Sequence, residues 1–518
     1  MKIDRIRIAE IIDRLASSFG IGAIILAVFI LLLRIIIHFP FFDESLHVHY
    51  LWLLSNGYTP GVDFYCHYPV LSYLFMVPFF KLLPDSAFVV LVLRYVSLII
   101  YIGIGLLLYF HGRKVTGDWG TAIIPLILLA SSSNIGPYMI EFSVDPFATV
   151  TAVGAMLIFF RTPSERTIAT SAGLSLLSVL LTPKYIFPLF FGLIGHAAAY
   201  ILASRKKIKT IMAISIGGAA ALAFVLTIYW LNEVSLTGNL AATLTTSRTI
   251  QKMNEIMPYT FLLARLVNKP VYVVMIVLGL LGWAVRSRRR IDQITLSGAG
   301  ILLGLILFFF TISLPLEQYL MAFYVSLAMF APFAFAAWKD TLGVKILRSA
   351  MFVVVFIVAV NQYPALLQEF MGTSVYVRDA SNSSTLKGPP AVQALANIDK
   401  ILRVIPKEER VVALWPYHPM LRKDLTGITW DERPSYTEAL SDNDPNAVFF
   451  DPKSYRAALD NHIPALIDVN KLQTNYPPGW YELTVDFMDR NNASYVRVPS
   501  SVQPGEFYYI RRDLMPLQ

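Results

Sequence analysis

The sequence predicts a polytopic α-helical membrane protein, with about 11 transmembrane helices plus exoplasmic juxtamembrane helices and a small C-terminal α/β soluble domain. Three observations lead there. The chain is 56% hydrophobic and 15% charged, with a mean hydropathy of +0.57, values that soluble globular proteins rarely combine. Apolar runs of span length recur from residue 20 to residue 363. After "NQYPALLQEF" the composition turns polar, which divides the chain into residues 1–365 in the membrane and an exoplasmic domain over 366–518.

The N-terminus, "MKIDRIRIAEIIDRLASSFG", is basic, and the apolar run behind it has span length and no small-residue cleavage site, which predicts a retained first helix. Candidate spans follow near 20–37, 87–110, 120–137, 145–160, 168–182, 184–203, 211–231, 270–286, 293–313, 319–337 and 346–363. A further apolar stretch, 70–83, is shorter and contains Pro78 and Lys81. If it does not cross, the basic groups Arg113-Lys114, Arg161/Arg166, "RKKIK", "RSRRR" and Lys339/Lys345/Arg348 all share the side of the N-terminus, as the positive-inside rule requires. That predicts 70–83 as an exoplasmic juxtamembrane helix, a cytoplasmic N-terminus and an exoplasmic C-terminal domain, in a plasma (inner) membrane or its equivalent. In the polar part, 391–405 has helical spacing, while "RVVALW", "AVFFD", "PALIDV" and "ASYVRV…GEFYYIRR" read as strands.

Charge and cysteine content exclude several classes. Residues 366–518 carry 16 Lys and Arg against 19 Asp and Glu, a net −3, so of the overall +8 the membrane part carries +11. It is scattered over short loops rather than gathered on one face, which fits headgroups and not nucleic acid. The single cysteine, Cys66, forms no intramolecular disulfide, and no Cys/His spacing resembles a zinc site.

With this threading, acids gather on one side of the bilayer. Asp43, Glu44, His47, Asp63 and His67 lie in the first exoplasmic loop, Glu141 and Asp145 in the second, and Lys184 between two spans. Arg248, Lys252 and Arg265 follow in the loop 232–269, and Glu317, Gln318 and Tyr319 in another. Carboxylates serve as bases or metal ligands, and cations hold anionic groups, so the active site is expected on this side. Each residue also has a plainer reading. Asp43 could cap a helix that starts near Glu44 and ends at Gly57, although Leu46 gives no capping box and a cap leaves Glu44 unexplained. Asp145 before Pro146 could be a cap as well, Arg94 and Lys184 could snorkel to headgroups, and His47 and His67 could be hydrogen-bonding surface residues.

The stretch "DESLHVHYLWLLSNGYTPGVDFYCHYPVLSYLFMVPFFKLL" resembles the first exoplasmic loop of the GT-C superfamily of polyprenyl-phosphate-sugar glycosyltransferases, in particular the protein O-mannosyltransferases and lipid A aminoarabinose transferases. The likeness continues in order through "LVLRYVSLIIYIGIGLLLYFHGRK", "SVDPFATVTAVGAMLIFFR", "LSVLLTPKYIFPLFFGL" and "LEQYLMAFYVSLAMFAPF", covering residues 38 to 335 or so. The resemblance implies that Asp43 and Glu44 are the catalytic acidic pair, that Asp145 is the second-loop aspartate, and that Arg94 and Lys184 match the family's cations. At "CHYPVLSYL" the chain departs from the family: Pro-Val replaces Pro-Pro, and Cys66-His67-Tyr68 stands where many members carry a carboxylate. Gln318 replaces a frequent histidine.

Transfer from a polyprenyl phosphate needs a base for the acceptor hydroxyl and cations for the departing phosphate. The expected roles are Asp43 as base, Glu44 as its partner, Asp145 as a further acid, and Arg94, Lys184 and Arg248 as phosphate contacts. His47, His67, Glu317, Gln318 and Tyr319 are the possible substrate contacts. The sequence marks no certain cofactor; a divalent metal ion, if one is used, would be held by Asp43 and Asp145. The partners are a polyprenyl-phosphate-linked sugar, a glycan, lipid or protein acceptor, and the bilayer. The alternative is a transporter or lipid-linked-sugar flippase, but such proteins usually place ionisable groups near midplane on broken, repeated helices.

Overall fold

The computed structural model describes residues 18, 21–22, 24–26, 28–37, 42–66, 68–117, 122–123, 125, 140–239, 270–289, 291–311, 320–336, 350, 353, 357, 360, 391–412, 421–425, 427, 451–468, 479–499 and 507–515. The helices described ahead of the polar part include α1 (Phe42–Ser55), α2 (Leu71–Phe80), α3 (Val89–Thr116), α4 (Asp145–Phe159), α5 (Glu165–Leu181), α6 (Ile186–Ser204), α7 (Lys207–Leu231), α8 (Pro270–Arg289), α9 (Gln293–Thr311) and α10 (Leu320–Ala328). A short turn, Phe333–Ala336, follows α10.

Among the described residues four helices, not eleven, are long and apolar enough to cross a membrane: Val89–Thr116, Pro183–Ser204, Lys207–Leu231 and Gln293–Thr311. They make this a helical membrane-associated protein. Other expected spans form shorter apolar helices, Asp145–Phe159 and Leu320–Ala336 among them. The 15 residues of α4 extend only about 22 Å at 1.5 Å per residue, less than the roughly 30 Å of a hydrocarbon core. The chain leaves α4 at Phe160 and restarts at Ser164, whose side chain and Thr167 form a capping box for α5. The expected spans near 120–137 and 346–363 fall almost wholly outside the described residues. The 70–83 stretch forms only the ten-residue α2, about 15 Å long and too short to span.

Helix ends follow capping rules. Gly57, at φ 83°, lies just beyond α1, and its N–H donates to Leu54 O (3.1 Å). Gly117, at φ 73°, ends α3 and donates to Arg113 O, with Arg113 and Lys114 in the last turn where cations suit the helix dipole. Within the bundle α6 and α9 run antiparallel with their backbones touching. A Cβ added at Gly195, Gly300 or Gly304 would collide with the carbonyls of Leu296, Phe191 and Phe187 respectively.

The polar part is a five-stranded mixed sheet of order β2-β1-β3-β5-β4, made of β1 (Arg410–Val412), β2 (Lys423–Asp424), β3 (Leu466–Ile467), β4 (Tyr495–Pro499) and β5 (Phe507–Arg511). β1 pairs in parallel with β2 and β3, whereas β5 is antiparallel to β3 and β4. Alternation divides its residues between two faces. Val412 and Ile467 pack with Tyr455 of α12 (Pro452–Asn461) and with Trp480 and Phe487 of α13 (Trp480–Asn491). Val411, Leu466, Tyr508 and Ile510 pack on Ile401 of α11 (Ala391–Val404). The same apolar stripe of α11, through Ala394, Leu395, Ile398 and Leu402, also belongs to the core of the helical bundle. One amphipathic helix is thus shared between the two parts. The expected helix 391–405 and the strands at 410, 466 and 495–511 are present; "AVFFD" and the boundary at 365 lie outside the described residues.

Candidate functional site

The expected acidic pair begins α1. Glu44 is fully buried and meets Arg94 of α3 in a two-point ion pair: Nε donates to Oε1 at 2.8 Å and Nη2 to Oε2 at 2.5 Å. Arg94 Nη1 donates to Ile35 O (2.8 Å), and the Phe142 N–H donates to Glu44 Oε1 (3.2 Å). Neither side chain has exposed surface. The snorkelling alternative for Arg94 therefore does not describe it: its charge is neutralised inside the protein. Asp43 is the second residue of α1, inside the helix rather than ahead of it; its side chain lies outside the described set.

Three residues beyond Phe142, Asp145 opens α4. It does not cap the helix, because the N-cap position is Val144 and no side chain accepts there. Both Asp145 oxygens instead accept from Lys184 Nζ at 2.7 Å, in a pair that is 7% exposed at the aspartate and 12% at the lysine. Lys184 sits in the short turn Pro183–Tyr185 between α5 and α6. The neighbouring Tyr185 hydroxyl bonds Thr149 Oγ1 (2.8 Å), and Thr149 donates to Asp145 O (2.7 Å). Glu141 is buried beside this segment. Four of the expected site residues, Glu44, Arg94, Asp145 and Lys184, thus form two ion pairs joined through residues 142–145.

His47 is buried one turn after Glu44, where Nδ1 bonds the Tyr73 hydroxyl and the ring lies 4.6 Å from that of Tyr68. Its neighbourhood is aromatic, which makes it a packing element of α1 and α2 rather than a surface residue. His67, Arg248, Glu317, Gln318 and Tyr319 lie outside the described residues, as do Lys252 and Arg265.

The polar part docks on the same end of the bundle through contacts that local sequence does not signal. His49 Nε2 bonds Asp424 Oδ2 at 2.8 Å across 375 residues. Burial pushes the Asp424 carboxyl above its ordinary range, and His49 opposes that rise. Arg422 pairs with Asp85 (3.0 Å) and donates to the Leu402 and Ile405 carbonyls at the end of α11. Ser86 and the Ala87 N–H, just before α3, donate to Asp399 Oδ1. Tyr65 enters the aromatic cluster around Tyr455 and Trp480, and its N–H donates to Gly427 O (2.9 Å). Gly427, at φ 74°, lies so close to Asp63 O that a Cβ has no room. Only Asp63 among these was marked by the sequence; it receives Lys423 at 3.6 Å.

Among the described residues no group of three or more His, Cys, Asp or Glu side chains could hold a metal ion. Both oxygens of Asp145 are engaged by an ammonium, so the described donors do not fit a divalent metal at this position. Compared with known proteins, the chain matches no family model, and no curated protein matches it significantly.

Proposed function

We propose that the chain is an integral-membrane glycosyltransferase of GT-C type, which transfers a sugar from a polyprenyl-phosphate donor to a glycan, lipid or protein acceptor with inversion. The observation that supports it most is the commitment of Glu44: its carboxylate already accepts from Arg94 and Phe142, leaving proton transfer to the adjacent Asp43. In this reading Asp43 takes the acceptor hydroxyl proton while the acceptor oxygen attacks the anomeric carbon. The bond to the phosphate oxygen breaks, and its electron pair leaves with the phosphate. Lys184 meets that phosphate, and Asp145 positions Lys184. Arg94, expected as a phosphate contact, acts through Glu44 instead, because its donors point inward to Glu44 and Ile35.

The finer topology belongs to the same proposal: eleven spans, α2 on the exoplasmic face, a cytoplasmic N-terminus and an exoplasmic sheet domain in a plasma membrane. The gathering of Lys114, Arg161 and Arg286 at the end of the bundle away from Asp145 supports it. The test is turnover of radiolabelled polyprenyl-phosphate sugars by detergent-purified protein. Asp43→Asn should keep its melting temperature and lose transfer by about 10²- to 10⁴-fold, the usual worth of a general base. Near-wild-type turnover in a stable Asp43→Asn protein overturns the mechanism, and movement of donor across vesicles without transfer identifies a carrier.

A further inference from the structure

At the end of the bundle opposite Asp145, the last turns of α3, α4 and α8, the start of α9 and the turn Phe333–Ala336 enclose a cavity of about 370 Å³. Its walls are mostly apolar, with Leu107, Phe110, Leu157, Phe160, Ile294 and Phe333 contributing. Three cations also line it: Lys114, Arg161 and Arg286. Arg286 is already balanced, because Asp292 receives it at 2.6 and 3.0 Å. Lys114 and Arg161 are exposed, and among the described residues neither has an ion-pair partner. No carboxylate belongs to the described lining.

An apolar chamber with two unbalanced cations from different helices suits a particular kind of molecule. A simple anion would use the cations but gain nothing from the aromatic and aliphatic walls, and a neutral apolar molecule would leave the charges uncompensated. A ligand with an anionic head and a hydrocarbon tail satisfies both. The surroundings supply a route for the tail. Ile99, Ile102, Leu106 and Phe110 form an exposed apolar stripe along α3, and Phe110, 60% exposed, also lines the cavity. The chamber therefore opens onto the surface that meets lipid.

We infer that this cavity binds an anionic phospholipid, with its phosphate between Lys114 and Arg161 and an acyl chain against Phe110 and the inner walls. The site is independent of the transferase reading and lies at the other end of the molecule.

The experiment uses full-length protein purified in neutral detergent, with binding read by native mass spectrometry and by melting temperature. The probes are dioleoylphosphatidylglycerol, dioleoylphosphatidylcholine and inorganic phosphate. Two cations near a headgroup predict a preference of about 30-fold for the glycerol lipid over the choline lipid. The double variant Lys114→Gln/Arg161→Gln should abolish that preference while keeping the protein folded, since both side chains are exposed. Lys206→Gln/Lys207→Gln, cations in the α6–α7 turn outside the cavity lining, should leave it intact. The inference is overturned if the first pair retains the wild-type preference or if the second pair loses as much, which would indicate diffuse surface charge. It is also overturned if the choline lipid binds equally or if phosphate alone stabilises as well as the lipid, which would make the site one for a free anion.

Discussion

Glu44 and Arg94, 50 residues apart in the chain, face each other in a two-point ion pair with no exposed surface on either side chain. The pair locks the first turn of α1 against α3, and through the Phe142 N–H it also fixes the segment that leads to Asp145. Charges so deeply placed hold a structure through the penalty for separating them more than through any net attraction.

Removing one partner should therefore be costly. Glu44→Gln or Arg94→Met should each destabilise the protein by about 3–5 kcal/mol, because the remaining charge is left buried and unpaired. The double variant should be less destabilised than the sum of the two. Thermal unfolding of the detergent-purified proteins measures it, and additive losses would mean that the pair is not coupled.

The second pair should act on the donor. Lys184→Ala removes a charge-assisted contact to phosphate and should weaken donor affinity by about 10- to 100-fold, with a smaller effect on turnover at saturating donor. Asp145→Asn should move the donor Michaelis constant in the same direction by loosening Lys184. An unchanged Michaelis constant and rate in Lys184→Ala would reduce the pair to a structural brace.

Two carboxyls at the docked sheet domain should titrate with opposite signs. Burial raises Asp424 above its ordinary 3.8, so its contribution to stability is present below that value and is lost as pH rises through its folded value. Burial alone would also raise Asp399, but hydrogen bonds from Ser86, Arg403 and the Ala87 N–H outweigh it and lower the carboxyl. Its contribution is present above the ordinary value and is lost as pH falls through the folded one. Melting temperatures from about pH 3 to pH 7 should show wild type losing ground to Asp424→Asn as pH rises, and losing its advantage over Asp399→Asn as pH falls. Flat difference curves would count against both assignments.

The α6–α9 contact leaves no room for side chains. Gly300→Leu should separate the helices, because the new atoms meet the Phe191 carbonyl rather than a flexible side chain. The expected result is a loss of at least about 1–3 kcal/mol, read as a lower melting temperature. Gly103→Leu, whose Cβ would meet nothing within 4 Å, should leave the melting temperature nearly unchanged. Equal behaviour of the two would show that the close approach carries no stability.

Hydrophobic runs and alternation are properties of neighbouring residues, so the sequence by itself determined the helical membrane class, the positions of α3, α6, α7 and α9, the amphipathic α11 and the strands β1, β3, β4 and β5. It also marked Glu44, Arg94, Asp145 and Lys184, since charge beside long apolar runs is conspicuous. Their partners were not legible. Asp145 meets Lys184 across 39 residues, Glu44 meets Arg94 across 50 and His49 meets Asp424 across 375, separations over which no local period carries information. Strand β2 consists of two charged residues, Lys423 and Asp424, with no apolar run to mark it, and it takes its place from pairing with β1. Tertiary structure alone decided that Glu44 is spent on an arginine, that Asp145 holds a lysine rather than capping α4, and that α11 belongs to two cores at once. Each outcome depends on which groups are sealed from water together, and the unpaired burial of a charge costs more free energy than any helix or strand propensity contributes.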